Sequence, residues 1–257
     1  MELTFFLEKK VLIFFFVFFR IMLLFFLFPL FSPTFFPRKL KILVSLVLAL
    51  VLTPAVSFPL PEIKGIYDLI VVLSGEFLLI FVISLFFRFI LGGIQLGGEM
   101  VGIQMGFGIS QTIDPMSGFS LPVISQFVYI IFLLFFFAFN FHHYLIYFLY
   151  KSFIKIPPGS FMMSKSLAAL VVKQSKMIFE ISIKFLAPLL VFMLLIYVSL
   201  SIIGRLLPQI NVLFVSFPLT IGLGLIFFGL MLCLLPRIIY PYYTKYFKLL
   251  VAILKYF

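Results

Sequence analysis

Apolar runs longer than 18 residues recur along the whole of this 257-residue chain, and they constrain its fold more than any motif does. About 20 consecutive apolar residues suffice for a helix to cross the hydrocarbon of a bilayer. Six such spans are expected, at about 11–31, 40–58, 67–91, 122–149, 178–203 and 212–235. The runs do not alternate apolar with polar residues, which excludes a β-barrel. With 65% hydrophobic and 11% charged residues, a soluble fold cannot hide so much apolar surface. The expected fold class is an all-α integral membrane protein, its roughly six long hydrophobic helices arranged as hairpins.

The formal net charge is +11, from 19 Lys and Arg against 8 Asp and Glu. Most cations fall between the apolar runs, which suits anionic lipid headgroups and not nucleic acid. The single cysteine, Cys233, allows no internal disulfide, metal cluster or redox pair. The first apolar run, 11–31, is too long for a signal-peptide core, and no small-residue cleavage site follows it, so no cleaved signal is expected. Forty Phe and no Trp fit an AT-rich codon bias, and tyrosines near Arg237–Tyr246 supply an interfacial belt in place of Trp. From Pro236 onward, Arg237, Lys245, Lys248 and Lys255 alternate with apolar residues, as in an amphipathic helix lying on a membrane or a partner. The residues divide into 1–121, 122–177 and 178–257.

Charges inside spans are expensive and are functional candidates by default. Arg20 lies midway along the first run, Glu76 and Arg88 in the third, and Glu99 just beyond it. Glu180 and Lys184 stand four residues apart, which places them on one helix face. These six are expected to pair between helices or between subunits rather than to relay protons. Arg20 in particular needs an acceptor from another helix or another subunit. The only His pair, His142–His143, is adjacent in sequence and so points about 100° apart on a helix, a poor metal site. It reads as a polar cap at a span end. No nucleophile elbow, phosphate loop or paired acids are found, so neither an enzyme nor a cofactor is expected.

Glycines recur at 92, 93, 97, 98, 102, 106 and 108. The four-residue steps Gly98–Gly102–Gly106 predict a smooth ridge on one helix face. Beyond it, Phe107, Ile109, Ile113 and Met116 punctuate a loop whose Asp114-Pro115 and Ser117-Gly118 are turn signals. Such a loop is tolerated at membrane depth only inside protein or beside a water-filled path. A second polar break, Arg205-Leu206-Leu207-Pro208-Gln209-Ile210-Asn211, separates the last two runs, and Pro208 is expected to stop the helix there.

Two stretches carry a resemblance. Gly98-Glu99-x-x-Gly102-x-Gln104-Met105-Gly106 with Asp114-Pro115 and Pro122-Val123-Ile124-Ser125-Gln126-Phe127 is one. Arg205-x-x-Pro208-Gln209-x-Asn211-Val212 with Ser216-Phe217-Pro218-Leu219 and Gly222-Leu223-Gly224-Leu225 is the other. Together they resemble the FliR family, integral membrane subunits of the flagellar type III protein export gate. Asn140–Ile146, Lys151-Ser152-Phe153 and Pro157-Pro158-Gly159 fit as well. The resemblance implies a plug closing an export channel, with Phe107, Ile109, Ile113, Asp114, Pro115 and Met116 in it. It implies a gate-entrance contact at Arg205, Pro208, Gln209 and Asn211. The implied partners are FliP-type and FliQ-type subunits, FlhB- and FlhA-type membrane components, and unfolded flagellar proteins in transit. The implied place is the bacterial inner membrane, within the flagellar basal body.

The alternative is an independent small-solute secondary transporter or channel, which broken helices and intramembrane charge also suit. Against it stand the lack of an internal repeat and of a coherent polar site at midplane. For orientation, Lys and Arg number five on one side and twelve on the side of the N-terminus, placing that terminus in the cytoplasm. The resemblance implies the opposite sense, and the two remain open.

Overall fold

Prolines and one left-handed residue, more than any change in hydropathy, set where the helices stop. The computed structural model describes residues 2–31, 36–107, 123–207, 209 and 211–255. Among these the elements are α1 (Glu2–Leu27), α2 (Arg38–Leu52), α3 (Ile66–Gln104), α4 (Val123–Ala138), α5 (Phe141–Lys155), α6 (Lys165–Ser175), α7 (Met177–Leu206), α8 (Val212–Leu232) and α9 (Leu235–Lys255). Helix α1 gives way to a 3₁₀ turn at Pro29, and α2 starts directly after Pro37 and ends at a 3₁₀ turn holding Pro54. Asn140, at φ 58°, separates α4 from α5. Helix α6 is capped by Ser164, whose Oγ accepts from Leu167 N at 3.2 Å.

The protein is an all-α integral membrane protein. Among the described residues four helices are long and apolar enough to cross a bilayer, Lys9–Leu27, Ile66–Gln104, Lys165–Leu206 and Phe214–Leu232, or five if α4 and α5 count as one broken span. The expected six therefore changes in detail. The run expected at 40–58 yields only the 15-residue α2, about 22 Å long, too short for the hydrocarbon. The run expected at 122–149 is interrupted at Asn140. The third helix does not stop near 91 but carries its glycines on to Gln104.

The chain folds into two compact units, Met1–Arg88 with Phe139–Ser175 and Thr244–Phe257, and Phe89–Ala138 with Lys176–Tyr243. In the first, α1 and α2 form an antiparallel hairpin, with Lys41 Nζ of α2's start 5.4 Å from the ring of Phe26 near α1's end. Helix α2 is turned inside out. Lys41, Ser45 and Ala49 are its buried residues, while Leu43, Val47, Leu50 and Val51 are exposed, as a lipid-facing helix requires. In the second unit, α7 and α8 form a hairpin, with Phe192 and Phe227 stacked 4.2 Å apart. Only 28% and 22% of their most apolar windows are buried, against 50% for α3, so this hairpin keeps broad apolar faces outward.

The basic tail does not present its apolar face to a membrane or a partner. That face is buried within the chain. In the second unit Tyr243 donates to the carbonyl of Phe132 at 2.8 Å; in the first, Tyr246 donates to that of Ile83 at 3.3 Å. Burial pushes both phenols well above the ordinary tyrosine value, so they remain neutral donors.

The glycines of α3 serve two faces, not only the one their spacing suggested. Gly93 and Gly97, one turn apart, carry α7. A Cβ on Gly93 would stand 2.7 Å from the carbonyl oxygen of Ile178, and one on Gly97 would stand 2.8 Å from Cδ1 of Phe185. Gly98 faces α4, its Cβ position 2.9 Å from the Cα of Ser125. Gly106 has left the helix at φ +96°. Gly92, by contrast, faces open space. Adjacent substitutions are therefore expected to have opposite signs. Gly92→Ala should gain about 0.5–1 kcal/mol from helix propensity, and Gly93→Ala should lose about 1–3 kcal/mol by forcing α3 and α7 apart. Thermal unfolding of the two variants in detergent checks this, and equal shifts would contradict the packing.

Candidate functional site

The most expensive residue in the sequence has its acceptors within the chain. Arg20 of α1 and Glu76 of α3 are both fully buried, with 0% exposure. Arg20 Nε donates to Glu76 Oε2 at 2.5 Å and Nη2 donates to Oε1 at 2.6 Å, a bidentate fork. Nη1 donates to Ser152 Oγ at 3.1 Å, and Nη2 also to the carbonyl of Ile156 at 2.9 Å. Four of the five guanidinium N–H donors are thus used. The ring of Phe153 covers the guanidinium, with Cζ 4.2 Å from its centroid, and Phe58 stacks on Phe153.

Local sequence explains the geometry. Ile156 is the C-cap of α5 and is followed by Pro157-Pro158, so its carbonyl is left for an outside donor. A cation there also meets the negative end of the α5 dipole. One side chain thereby ties α1, α3 and α5 together. Of the two sources open for an acceptor of Arg20, another helix or another subunit, the structure supplies the first, Glu76 of α3. Ser152, Phe153 and Ile156 were not foreseen as partners. The Pro-Pro pair after an apolar span end was the available signal.

The other in-span charges are placed differently. Arg88 is exposed and donates to the carbonyl of Leu27, the last residue of α1, at 3.0 Å. Lys184 donates to Glu180 at 3.1 Å along α7, with both side chains partly exposed. Glu99 is half-buried on α3, and among the described residues no partner is found for it.

The foot of the glycine-rich segment is held in the second unit. Tyr197 of α7 donates to the carbonyl of Gln104, the last residue of α3, at 2.5 Å. Met105 lies on Gly224 of α8, where a Cβ would stand 2.7 Å from its Cγ. Phe107 follows, half-buried. Ile109, Ile113, Asp114, Pro115 and Met116 lie outside the described residues. At the second polar break, α7 ends at Leu206, and Arg205, Gln209 and Asn211 are exposed, while Pro208 lies outside the described residues. His142 and His143 have ring centroids 4.1 Å apart, and no group of three or more potential ligands for a metal occurs among the described residues.

Comparison with known proteins gives the chain a family. The profile of the family described as "Bacterial export proteins, family 1" matches residues 11–245. The chain belongs to that family. Relatives within it carry the name flagellar biosynthetic protein FliR. The protein of Buchnera aphidicola subsp. Baizongia pistaciae is 31% identical over 210 residues, 80% of each chain. That of Bacillus subtilis is 30% identical over 213 residues, 82% of each chain. That of Escherichia coli K12 is 26% identical over 211 residues, 82% of this chain and 79% of its own. The family match takes in Arg20, Glu76, Ser152 and the whole of α3, α7 and α8.

The buried pair gives a graded prediction. Arg20→Leu or Glu76→Leu alone leaves an uncompensated buried charge or carboxyl and should cost about 3–5 kcal/mol. The double variant Arg20→Met with Glu76→Leu should recover most of that loss, because apolar replacement of a whole buried pair is often near neutral. Yield of monodisperse protein and thermal unfolding in detergent report it. A double variant as unstable as the sum of the singles would contradict the intrachain pairing.

Proposed function

We propose that this chain is a core membrane subunit of the flagellar type III protein export gate, seated in the bacterial inner membrane within the basal body. The observation that carries the reading is the family match over residues 11–245, joined to an architecture of apolar hairpins. The chain performs no catalytic step. It joins FliP-type and FliQ-type subunits around a channel for unfolded flagellar proteins, next to FlhB- and FlhA-type components that supply coupling to energy. In this reading 1–121 holds the first hairpin and the plug, 122–177 the connection that grips Arg20, and 178–257 a FliQ-like hairpin with its tail.

Four features support the roles. The α7–α8 hairpin keeps apolar faces outward, as a helix pair inserted among neighbours would. The exposed Arg205, Gln209 and Asn211 at its tip offer polar groups to a neighbouring subunit at the gate entrance. The segment after Gln104 leaves a helix end fixed by Tyr197 and Met105, and its apolar Phe107, Ile109, Ile113 and Met116 form a seal that excludes water. Glu99, half-buried without a partner among the described residues, contributes an assembly charge to a cation on a neighbour.

Co-expression with the FliP-type and FliQ-type subunits of the same source, followed by native mass spectrometry on a tag carried by this chain, should give a defined heteromeric complex. A stable particle of this chain alone that binds neither partner would favour the small-solute transporter reading instead. Within the assembled gate, Phe107→Gly with Ile113→Gly should raise ion conductance across the membrane. Unchanged conductance would remove these residues from the seal.

A further inference from the structure

We propose that the first turn of α2 binds the phosphate of one anionic phospholipid, held by Arg38, Lys41 and the free amides that open the helix. Three cations, Arg38, Lys39 and Lys41, stand in that turn, and no acidic residue does. Cations at a helix N-terminus oppose the positive end of its dipole. The amides of Arg38 and Lys39 have no carbonyl of α2 to bond. Those of Leu40 and Lys41 share the carbonyl of Pro37, at 3.0 and 3.3 Å. No side chain caps this end. Helix α6 also begins on a lysine, Lys165, but there Ser164 supplies the cap. A turn of amides and cations with neither cap nor acid calls for an anion.

Lys41 points to the same ligand independently. It is only 4% exposed, yet among the described residues its ammonium has no hydrogen-bond acceptor and no carboxylate. What it meets is the ring of Phe26, with Nζ 5.4 Å from the centroid, close to the ~6 Å limit of a cation–π contact. Arg20, the other buried cation among the described residues, uses four of its donors; Lys41 uses none of its three. A helical side chain leans toward the helix N-terminus, and for Lys41 that is over Arg38, three residues before it. Burial, and after it the Arg38 guanidinium, hold the ammonium below the ordinary lysine value, so the two cations stand in each other's field. An anion between them relieves both costs. A phosphate, with several acceptor oxygens, suits two side-chain cations and two free amides. The rest of α2 gives its source. Leu40, Leu43, Val47 and Leu50 follow helical spacing from the same turn, and all four are exposed. A phospholipid joins the two features, its headgroup on the cations and an acyl chain along the stripe. A free phosphate leaves the stripe unused.

The proposal rests on the membrane class of the chain and not on its place in an export gate, so the two can fail separately. The full chain, purified in detergent, is offered equal amounts of phosphatidylglycerol and phosphatidylcholine, and native mass spectrometry counts the lipid retained. One phosphatidylglycerol should be kept in preference. Arg38→Gln and Lys41→Met should each lower its retention about five-fold, by roughly 1 kcal/mol per cation facing an anionic lipid. Lys165→Gln should leave it unchanged. In lipid-free detergent Lys41→Met should raise the unfolding temperature, because it removes a buried cation that lacks its anion; a lysine needed only for packing would make that temperature fall. Arg38 is exposed, so Arg38→Gln keeps the test decisive if the methionine variant fails to fold. Stabilisation by inorganic phosphate with no lipid retained would overturn the phospholipid as ligand. Equal retention of the two lipids, or unchanged retention in the Arg38 and Lys41 variants, would overturn the site and leave its cations to a carboxylate of a neighbouring subunit.

Discussion

A guanidinium in the middle of an apolar span must find its whole hydrogen-bonding complement inside the protein, and the first unit is organised by that requirement. Arg20 obtains two bonds from one carboxylate, one from a hydroxyl and one from a helix-end carbonyl. Each acceptor comes from an element that could otherwise slide. Glu76 fixes the rotation of α3, while Ser152 and Ile156 fix the end of α5. The carbonyl of Ile156 is available because Pro157 cannot extend the helix. An apolar replacement would pack as well, but it would not specify one register among three helices. The ion pair is in that sense a device of specificity more than of stability.

Among the described residues the second unit has no fully buried charge, and it uses the opposite device, the removal of side chains. Gly93 and Gly97 let α7 approach the backbone of α3, and Gly98 does the same for α4. In lipid the hydrophobic effect does not drive helices together, so close van der Waals contact is what remains. The same helix therefore carries two modes of association, a buried carboxylate at Glu76 and a glycine face five turns later. Its end at Gln104 is then tied down by Tyr197, so the segment that follows starts from a fixed point.

Much of this was legible in the sequence, and what was not has a physical reason. The all-α membrane class followed from run length, whereas the spans drawn at 11–31 and 40–58 ran through Pro29 and Pro54, where the structure has 3₁₀ turns. The importance of Arg20 and Glu76 was legible as cost. Their mutual pairing was not, because 56 residues separate them and periodicity says nothing about which helices meet. The break at Asn140 was hidden inside an unbroken apolar run, since a left-handed residue carries no hydropathy signal. Of the expected ridge, Gly98 packs on α4 and Gly102 is buried, while Gly106 lies past the helix end; Gly93 and Gly97, on another face with the same four-residue step, carry α7, and spacing alone does not show that α3 has two such faces. The tail looked like a surface helix because its moment is strong, yet an amphipathic helix serves equally to close a core, and Tyr243 and Tyr246 show which use it has.

These placements move the question of where a neighbouring subunit acts. If Arg20 and Glu76 were unpaired, a partner would be needed to neutralise them, and dependence on assembly would be spread through the chain. Since they satisfy each other, that pair makes no such demand on a partner. In the second unit Glu99 is half-buried without a partner among the described residues, and the α7–α8 hairpin is thinly buried with polar groups at its tip. Lipid can cover the apolar flanks of a hairpin, but it offers a carboxylate at Glu99 no donor within the hydrocarbon. A neighbouring protein can.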